Sequence, residues 1–446
     1  MKFAQLLTPF KTKTKNKHFY EILSGSFWAF LLKVVAMFFS YVSTLLISNY
    51  FGPRTVGLFN LSYAIISIIT LISLMGFPTA ILRFTGEFRN DRALAIILKK
   101  MVFLSFTISL FFVLGFLPFA DYVSTKLFHD QRLKDFLCIM LLGTPLVIVY
   151  TIFIEFIRGL GLVKISETIR NSISIFKLLF ILLLIFVLKC NDLTPAIANI
   201  SATILVFLIA LVYTIKKLRQ LQFTKVTSVS YRKILNISFP MLVTASMFMI
   251  MSLTDKLMLG IFKTPYEVGI YSVALKLATI TSMVLTAINT IVAPKFSELY
   301  WEYNLEDLKK VIRFSAKIIF FSSAPILLIY FLFSHQILSI FGKEFVQGAS
   351  ALIILSVGQF INSASGSVGY FLNMTGHQKV FRNIVFISSF VNIVLNYLLI
   401  PILGYNGAAF ATAFSISLWN IMALVYAKIK FKLFMGYLPF ITKEII

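Results

Sequence analysis

Residues 25–84 hold two long apolar runs joined by a short corner that contains Gly52-Pro53. The runs, at about 24–48 and 56–81, each exceed the roughly 20 apolar residues that an α-helix needs to cross a bilayer. Proline lacks a backbone N–H and fixes φ, so it is favoured where a helix begins and disfavoured inside one. The stretch therefore predicts two membrane-crossing helices that meet at a tight corner.

The same pattern returns 212 positions further along the chain. The matched segments share one spacing and include Ser26-Phe27 with Ser238-Phe239, Val56-Gly57-Leu58-Phe59 with Val268-Gly269-Ile270-Tyr271, Arg83-Phe84 with Lys295-Phe296, Arg170-Asn171 with Arg382-Asn383, and Ala196 with Ala408. A spacing held constant over so many points indicates an internal duplication. The chain is thus predicted to form two similar membrane halves.

Composition supports lipid as the main solvent of this chain. Apolar residues make up 59% of the 446 residues and charged ones 13%, against about 25% in a soluble domain. The net charge of +24 does not indicate nucleic-acid binding, because the basic residues lie in short loops between apolar runs. Two isolated cysteines provide neither a metal-binding spacing nor a disulfide framework.

The predicted fold is an all-α integral membrane protein with 12 transmembrane helices in two six-helix repeats, an N-lobe and a C-lobe, around a central cavity. The predicted parts are an N-terminal tail (1–21), the N-lobe (22–215), a linker (216–234), the C-lobe (235–428) and a C-terminal tail (429–446). The twelve spans fall at about 24–48, 56–81, 101–118, 135–157, 168–188, 195–215, 236–260, 267–293, 313–333, 348–373, 382–402 and 406–427.

The basic residues also predict the orientation. With the N-terminus inside, the inner loops and tails hold 29 of the 41 Lys and Arg residues and the outer loops hold 7. Cytoplasmic loops concentrate such residues, so both tails and the linker are predicted to be cytoplasmic, with the linker lying on the membrane surface. Six spans per half is an even number, so both halves are predicted to have the same orientation in the membrane. Such parallel repeats occur in some transporters whose central cleft opens to either side.

Five lysines fall within the spans: Lys33, Lys177, Lys256, Lys276 and Lys317. Lys256 and Lys317 lie near the ends of their spans and can extend to an interface. Lys33, Lys177 and Lys276 are deeper, where a charge costs at least about 2.5–3.5 kcal/mol. They predict a cation-lined cavity for a phosphate or an acidic sugar. The alternative is that each lysine is satisfied separately by carbonyl groups or water.

A second group is polar: Asp255 on span 7, Asn392 and Asn396 four residues apart on span 11, and Thr412 on span 12. Their similar depths predict one site. Oxygen ligands of this kind suit Na⁺, and Asp255 is alternatively a proton site. Helix–helix hydrogen bonds, or a pair between Asp255 and a lysine, remain open. The sequence offers no nucleophile–base pair and no metal cluster, so the protein is predicted not to be an enzyme.

Several motifs resemble those of a known family. They are Lys33 in span 1, Phe51-Gly52-Pro53-x-x-Val56-Gly57-Leu58-Phe59, Gly76-Phe77-x-x-Ala80-Ile81-x-Arg83, Asn373-x-x-Gly376-x-x-Lys379, and Gly404-x-x-Gly407-Ala408-Ala409. With two six-span repeats, the chain resembles the polysaccharide (oligosaccharide) flippases of the multidrug/oligosaccharidyl-lipid/polysaccharide exporter superfamily.

This resemblance implies a function. Such proteins move undecaprenyl-diphosphate-linked oligosaccharide units from the inner to the outer leaflet by alternating access, for surface polysaccharides such as O-antigen or lipopolysaccharide. It implies a bacterial or archaeal cytoplasmic membrane, a lipid-linked oligosaccharide and membrane lipids as partners, and cooperation with a polysaccharide polymerase and glycosyltransferases. The deep lysines would attract the diphosphate or an acidic sugar.

The polar group is similar to the sodium site of the related lipid-linked peptidoglycan precursor flippases. This chain differs in having Asn396 where a second carboxylate is expected, so coupling to Na⁺, to protons or to neither stays open. Two other functions are alternatives: a cation-coupled multidrug exporter of the same superfamily, and a non-transporting membrane scaffold for a glycan polymerase.

Overall fold

The computed structural model describes residues 15–88, 93–188, 191–220, 229–437 and 439, and this part of the chain is all-α. Its α-helices are α1 (Lys15–Leu74), α2 (Phe77–Glu87), α3 (Ala93–Phe116), α4 (Ala120–Tyr122), α5 (Arg132–Gly159), α6 (Val163–Phe186), α7 (Thr194–Leu218), α8 (Tyr231–Phe262), α9 (Pro265–Ala278), α10 (Met283–Trp301), α11 (Leu305–Ser339), α12 (Ala349–Ala364), α13 (Val368–Met374), α14 (Gln378–Leu403) and α15 (Tyr405–Phe431). We call α1–α7 the N half and α8–α15 the C half.

The predicted corner divides α1 into two helices. Gly52 has φ 73° and ψ −179°, outside the helical region, and Pro53 follows it directly. A positive φ is accessible to glycine at little steric cost, which accounts for the residue type at this corner. The end of the bundle that contains Gly52 is called the corner end below.

Ten segments of the described chain are long and apolar enough to cross a membrane. The first, Phe30–Glu87, contains the Gly52 break and has 58 residues, so at about 1.5 Å per residue it is long enough for two crossings. Helix α8, with 32 residues, also exceeds the length of one crossing but is not among the ten. Twelve spans stay a prediction.

Some predicted boundaries differ from the structure. The stretch between the predicted spans 56–81 and 101–118 contains the end of α2 and the start of α3, and the stretch between the predicted spans 101–118 and 135–157 begins with short helical turns up to Leu127. The helices extend beyond their apolar runs, because their ends carry polar and charged residues. Residues 221–228, on which the predicted surface segment of the linker depends, lie outside the described residues, as do 1–14.

The predicted C-terminal tail is partly packed into the C half. After α15, Leu433 and Met435 are buried in an apolar cluster. The backbone N–H of Tyr437 donates to the carbonyl of Ala364 at 3.0 Å, and the Tyr437 ring contacts Phe320. The segment therefore provides a hydrogen bond to the last turn of α12, next to the break between α12 and α13.

The apolar core joins the two halves at the corner end. One cluster combines Ile47 and Leu58 of the N half with Val268, Leu352 and Ile400 of the C half. Two further clusters lie away from the corner end, one in the N half together with the start of α8 and one within the C half. The halves thus share their largest core at one end of the bundle.

Two glycines related by the 212-residue repeat make this contact close. A Cβ at Gly57 would lie 1.6 Å from the carbonyl oxygen of Pro265, and a Cβ at Gly269 would lie 1.9 Å from the carbonyl oxygen of Pro53. Each glycine of one half therefore packs against the proline of the other half, and neither position has room for a side chain.

We expect Gly57→Ala and Gly269→Ala each to lower the free energy of unfolding by about 1–3 kcal/mol, because the new methyl group collides with backbone atoms that cannot rotate away. The measurement is the thermal unfolding midpoint of the purified protein in detergent. Gly115→Ala is the matched control, since a Cβ there meets nothing within 4 Å. Equal midpoints for all three variants would show that the contact is not close.

Candidate functional site

A cavity of about 360 Å³ lies between the halves, near the corner end. Its walls come from α1, α5, α6 and α7 of the N half and from α8 and α9 of the C half. The ionisable Lys and Arg residues among its lining are Lys177, Lys256 and Lys276, and no Asp or Glu is among the described residues of the lining. The cavity is therefore lined by basic and not by acidic side chains in the part of the chain that the structure describes.

The structure brings Lys177 and Lys276 together and adds Lys256. The sequence assigned Lys256 to a membrane interface because of its place near the end of its span. The preceding residue, Asp255, is directed into the C half, so Lys256, about 100° further round α8, faces the cavity. The sequence did contain this information, because Lys256 directly follows Asp255 and adjacent residues of a helix point in different directions.

Lys276 of α9 is bound to the first helix. Its Nζ donates to the carbonyl of Ser40 at 2.7 Å, to the Ser40 hydroxyl at 2.8 Å and to the Thr44 hydroxyl at 2.5 Å. The same ammonium group lies 5.1 Å from the centre of the Tyr41 ring. This lysine is fully solvated by protein groups, which is one way to hold a charge at membrane depth.

Lys177 and Lys256 are bound differently. Lys177 Nζ lies 3.9 Å from the centre of the Phe59 ring, a cation–π contact. Within the described residues, neither lysine makes a hydrogen bond or an ion pair to another side chain. Two ammonium groups with unused donors thus face one cavity, an arrangement that suits an anion.

Lys33, the third predicted lysine, does not line this cavity. Its side chain is exposed on α1, seven residues before Ser40 and on the same helix face. It lies roughly 10 Å from Ser40 along the helix, away from the corner end. A role for Lys33 in ligand binding stays a prediction. Lys317, predicted to reach an interface, is exposed on α11.

Neutral polar side chains, which were not predicted from the sequence, complete the cavity together with Ser40 and Thr44. They are Asn60, Tyr63, Tyr150, Ser174, Asn199, Thr203 and Ser272. Amides, hydroxyls and aromatic rings are the groups that contact sugars. A further pocket of about 190 Å³, lined by apolar residues such as Ile66 and Leu71, shares Tyr63 and Asn199 with the cavity and extends it away from the corner end.

The four predicted polar residues of the C half do meet. Asp255 accepts three hydrogen bonds: from Asn396 Nδ2 at 2.8 Å on Oδ1, and from Tyr271 at 2.7 Å and Thr412 at 2.5 Å on Oδ2. Asn396 Nδ2 also lies 3.1 Å from Asn392 Oδ1. All five side chains are buried. We call these residues the Asp255 site.

Tyr271 is the member that the sequence analysis missed. The repeat held the signal, since Tyr271 corresponds to Phe59 and so carries a hydroxyl that its counterpart lacks. The other positions of the Asp255 site correspond to Ser43, Phe180, Leu184 and Ile200 of the N half. The N half therefore builds the same region without a carboxylate or amides, and the fold alone does not require them.

The Asp255 site has unused polar capacity. Asn392 Nδ2 and Asn396 Oδ1 are buried and have no hydrogen-bond partner among the residues that the structure describes. The residues that the structure describes include no cluster of three or more His, Cys, Asp or Glu side chains. One carboxylate among amide and hydroxyl oxygens fits a monovalent cation or a proton better than a divalent or transition metal.

Comparisons with known proteins agree with this fold. A family model described as "Polysaccharide biosynthesis protein" matches residues 22–300, more than half of the chain, and the MatE model matches residues 240–398. An uncharacterised membrane protein of Methanocaldococcus jannaschii is 24% identical over 88% of this chain and 81% of its own length. A probable flippase, AglR, of Haloferax volcanii is 30% identical over 38% of this chain and 36% of its own length.

Two solved structures share the architecture. The lipid II flippase MurJ, in an inward closed conformation, has a TM-score of 0.76 at 15% identity, covering 89% of this chain and 87% of its own. An inward-facing multidrug resistance transporter of the MATE family has a TM-score of 0.74 at 14% identity, covering 89% and 94%. At these identities the likeness concerns the fold alone.

The long apolar helices, the family model and the shared architecture agree. The chain is a multi-pass membrane protein that belongs to the polysaccharide biosynthesis protein family.

Proposed function

We propose that this protein flips lipid-linked oligosaccharides, carried on undecaprenyl diphosphate, from the inner to the outer leaflet of a bacterial or archaeal cytoplasmic membrane by alternating access. The observation that carries the proposal is the cavity with three lysines and, among the described residues of its lining, no Asp or Glu. A diphosphate or an acidic sugar is the complementary ligand, because charged hydrogen bonds between ammonium and phosphate groups are strong.

The rest of the cavity fits the rest of such a ligand. The amide, hydroxyl and aromatic groups that surround the lysines suit sugar rings. Relatives described as probable flippases, one of them for low-salt glycan biosynthesis, support a glycan ligand. The proposal places glycosyltransferases before this step, since they build the lipid-linked unit, and a polymerase after it.

A multidrug exporter for cationic drugs is the second candidate, and the fold is compatible with it. The lysines of the cavity oppose it, because a cationic drug would enter beside three of them, with no carboxylate among the lining residues that the structure describes. Glu155 of the N half does not offer a free negative charge to a cationic drug, because it is paired with Arg170: Arg170 Nη2 lies 2.5 Å from Glu155 Oε1.

The deciding experiment is leaflet translocation of a fluorescent polyprenyl-diphosphate oligosaccharide in proteoliposomes. We expect Lys177→Ala and Lys256→Ala each to slow flipping about tenfold or more, since a hydrogen bond to a charged group contributes about 1.5–3 kcal/mol. Lys33→Ala tests whether the exposed lysine of α1 also acts on the ligand. Lys317→Ala, on α11 and outside the cavity lining, is the control.

Each outcome decides between functions. Flipping by the purified wild type alone excludes the scaffold. Equal rates for the Lys177 and Lys256 variants and the wild type would contradict the ligand role of the cavity. A wild type that moves cationic drugs but no lipid-linked sugar would favour the multidrug exporter.

We further propose that the Asp255 site binds the coupling ion, Na⁺ or a proton. Asp255, Asn392, Asn396, Thr412 and Tyr271 supply its oxygen atoms. A bound cation would neutralise a carboxylate that is buried among neutral groups, which supports this use of the site. Lys256, next in sequence, is the nearest lysine along the chain and faces the cavity.

We expect sodium chloride, compared with choline chloride at equal concentration, to raise the unfolding midpoint of the wild type, because a ligand that binds only the folded state stabilises it. Asp255→Asn removes the charge and is expected to abolish this shift. A wild type that does not respond to sodium but loses flipping when the proton gradient is removed would assign the site to a proton. No response to either would contradict coupling through Asp255.

We expect Tyr271→Phe to lower the free energy of unfolding by about 1–3 kcal/mol in sodium-free buffer, because the buried carboxylate loses one of its three donors. Chemical denaturation of the purified protein measures the difference. Tyr397→Phe is the control, since Tyr397 is 62% exposed on α14. The same loss in both variants would mean that the Tyr271 hydroxyl does not stabilise Asp255.

A further inference from the structure

The three lysines of the cavity are not equivalent. Lys177 and Lys256 direct their ammonium groups at the cavity without a hydrogen-bond partner among the described residues, whereas Lys276 is bound by three oxygen atoms of α1. Lys276 belongs to the C half and its partners, Ser40 and Thr44, belong to the N half. Its side chain is therefore a connection between the halves as well as part of the cavity wall.

The backbone of the same residue makes a second connection. The Tyr41 hydroxyl donates to the carbonyl oxygen of Lys276 and lies 3.3 Å from the Thr279 hydroxyl. Helices α1 and α9 are thus joined at Lys276 through both its side chain and its main chain. The Gly57 and Gly269 contact lies nearer the corner end, on the same pair of helices.

The acceptors of Lys276 are neutral. A carbonyl and two hydroxyls solvate an ammonium group, but a phosphate oxygen carries a charge and makes a shorter and stronger hydrogen bond to it. Ser40, Thr44, Lys177, Lys256 and Lys276 all line one cavity of about 360 Å³. An anion held by the two free lysines would therefore lie within reach of the third and compete with α1 for it.

We propose that Lys276 is a latch: without ligand it holds α1 against α9, and the anionic group of the ligand withdraws it from Ser40 and Thr44. Ligand binding then removes a contact between the halves at the place where they must separate for transport. Lys276 thereby determines specificity, because a neutral ligand of the same size leaves the latch closed. This inference rests on the anion-binding cavity of the proposed function.

The latch and a simple binding role predict different effects of the α1 residues on anion affinity. If α1 and the anion compete for the same ammonium group, weakening the latch must strengthen anion binding, since the binding-competent state becomes more populated. Removing an acceptor on α1 is therefore expected to strengthen anion binding, whereas removing Lys276 itself is expected to weaken it.

The test is titration of the full-length purified protein with inorganic pyrophosphate by calorimetry. We expect Thr44→Val, which keeps the side-chain shape and removes the acceptor at 2.5 Å, to lower the Kd about tenfold, and Ser40→Ala to lower it less, because its carbonyl still accepts. Lys276→Gln is expected to raise the Kd. Tyr41→Phe, which loses a hydrogen bond between the same helices but keeps the acceptors of the ammonium group, is expected to change it little.

The outcomes separate the latch from the function on which it rests. A wild type that binds no pyrophosphate overturns both the latch and the anion cavity. Binding by the wild type with an unchanged or higher Kd for Thr44→Val and Ser40→Ala overturns the latch and leaves the cavity in place. An equal decrease of Kd in Tyr41→Phe would show that general loosening of the helices, and not release of the ammonium group, is responsible.

Discussion

The cost of placing an ammonium group at membrane depth governs the arrangement of this protein. Lys276 meets that cost with oxygen atoms of another helix, and Lys177 meets part of it with the face of Phe59. A bundle of apolar helices gains nothing from charges in its interior, and neutral residues would pack there at lower cost. Three lysines around one cavity therefore support the proposed ligand of opposite charge.

The two halves share a fold but have diverged in chemistry. At corresponding positions the C half has Asp255, Tyr271 and Asn396 where the N half has Ser43, Phe59 and Leu184. In the N half, Phe59 supports Lys177 at the cavity, whereas in the C half Tyr271 donates to a carboxylate directed away from it. Because neighbouring residues of α8 face the Asp255 site and the cavity, an ion bound at one is placed to influence the charge at the other.

Much of this could be predicted from the sequence, because lipid constrains it strongly. The all-α membrane fold of the family follows from long apolar runs and from the 212-residue repeat, and the four polar residues of the C half were expected to meet from their depths alone. Lys177 and Lys276 line one cavity as predicted, but the exact set of lysines could not be predicted, since depth does not specify the direction of a side chain round its helix. Lys256 was misplaced for that reason, and Tyr271 resembled an ordinary aromatic core residue.

The reciprocal contact of Gly57 with Pro265 and of Gly269 with Pro53 has the form of an isologous interface, in which a residue pair occurs twice with the partners exchanged. The two halves therefore meet about a local twofold axis, as the subunits of a symmetric dimer do. Because both halves belong to one chain, a substitution in one half is not repeated in the other. A carboxylate can thus occupy position 255 of the C half while the corresponding position of the N half is Ser43.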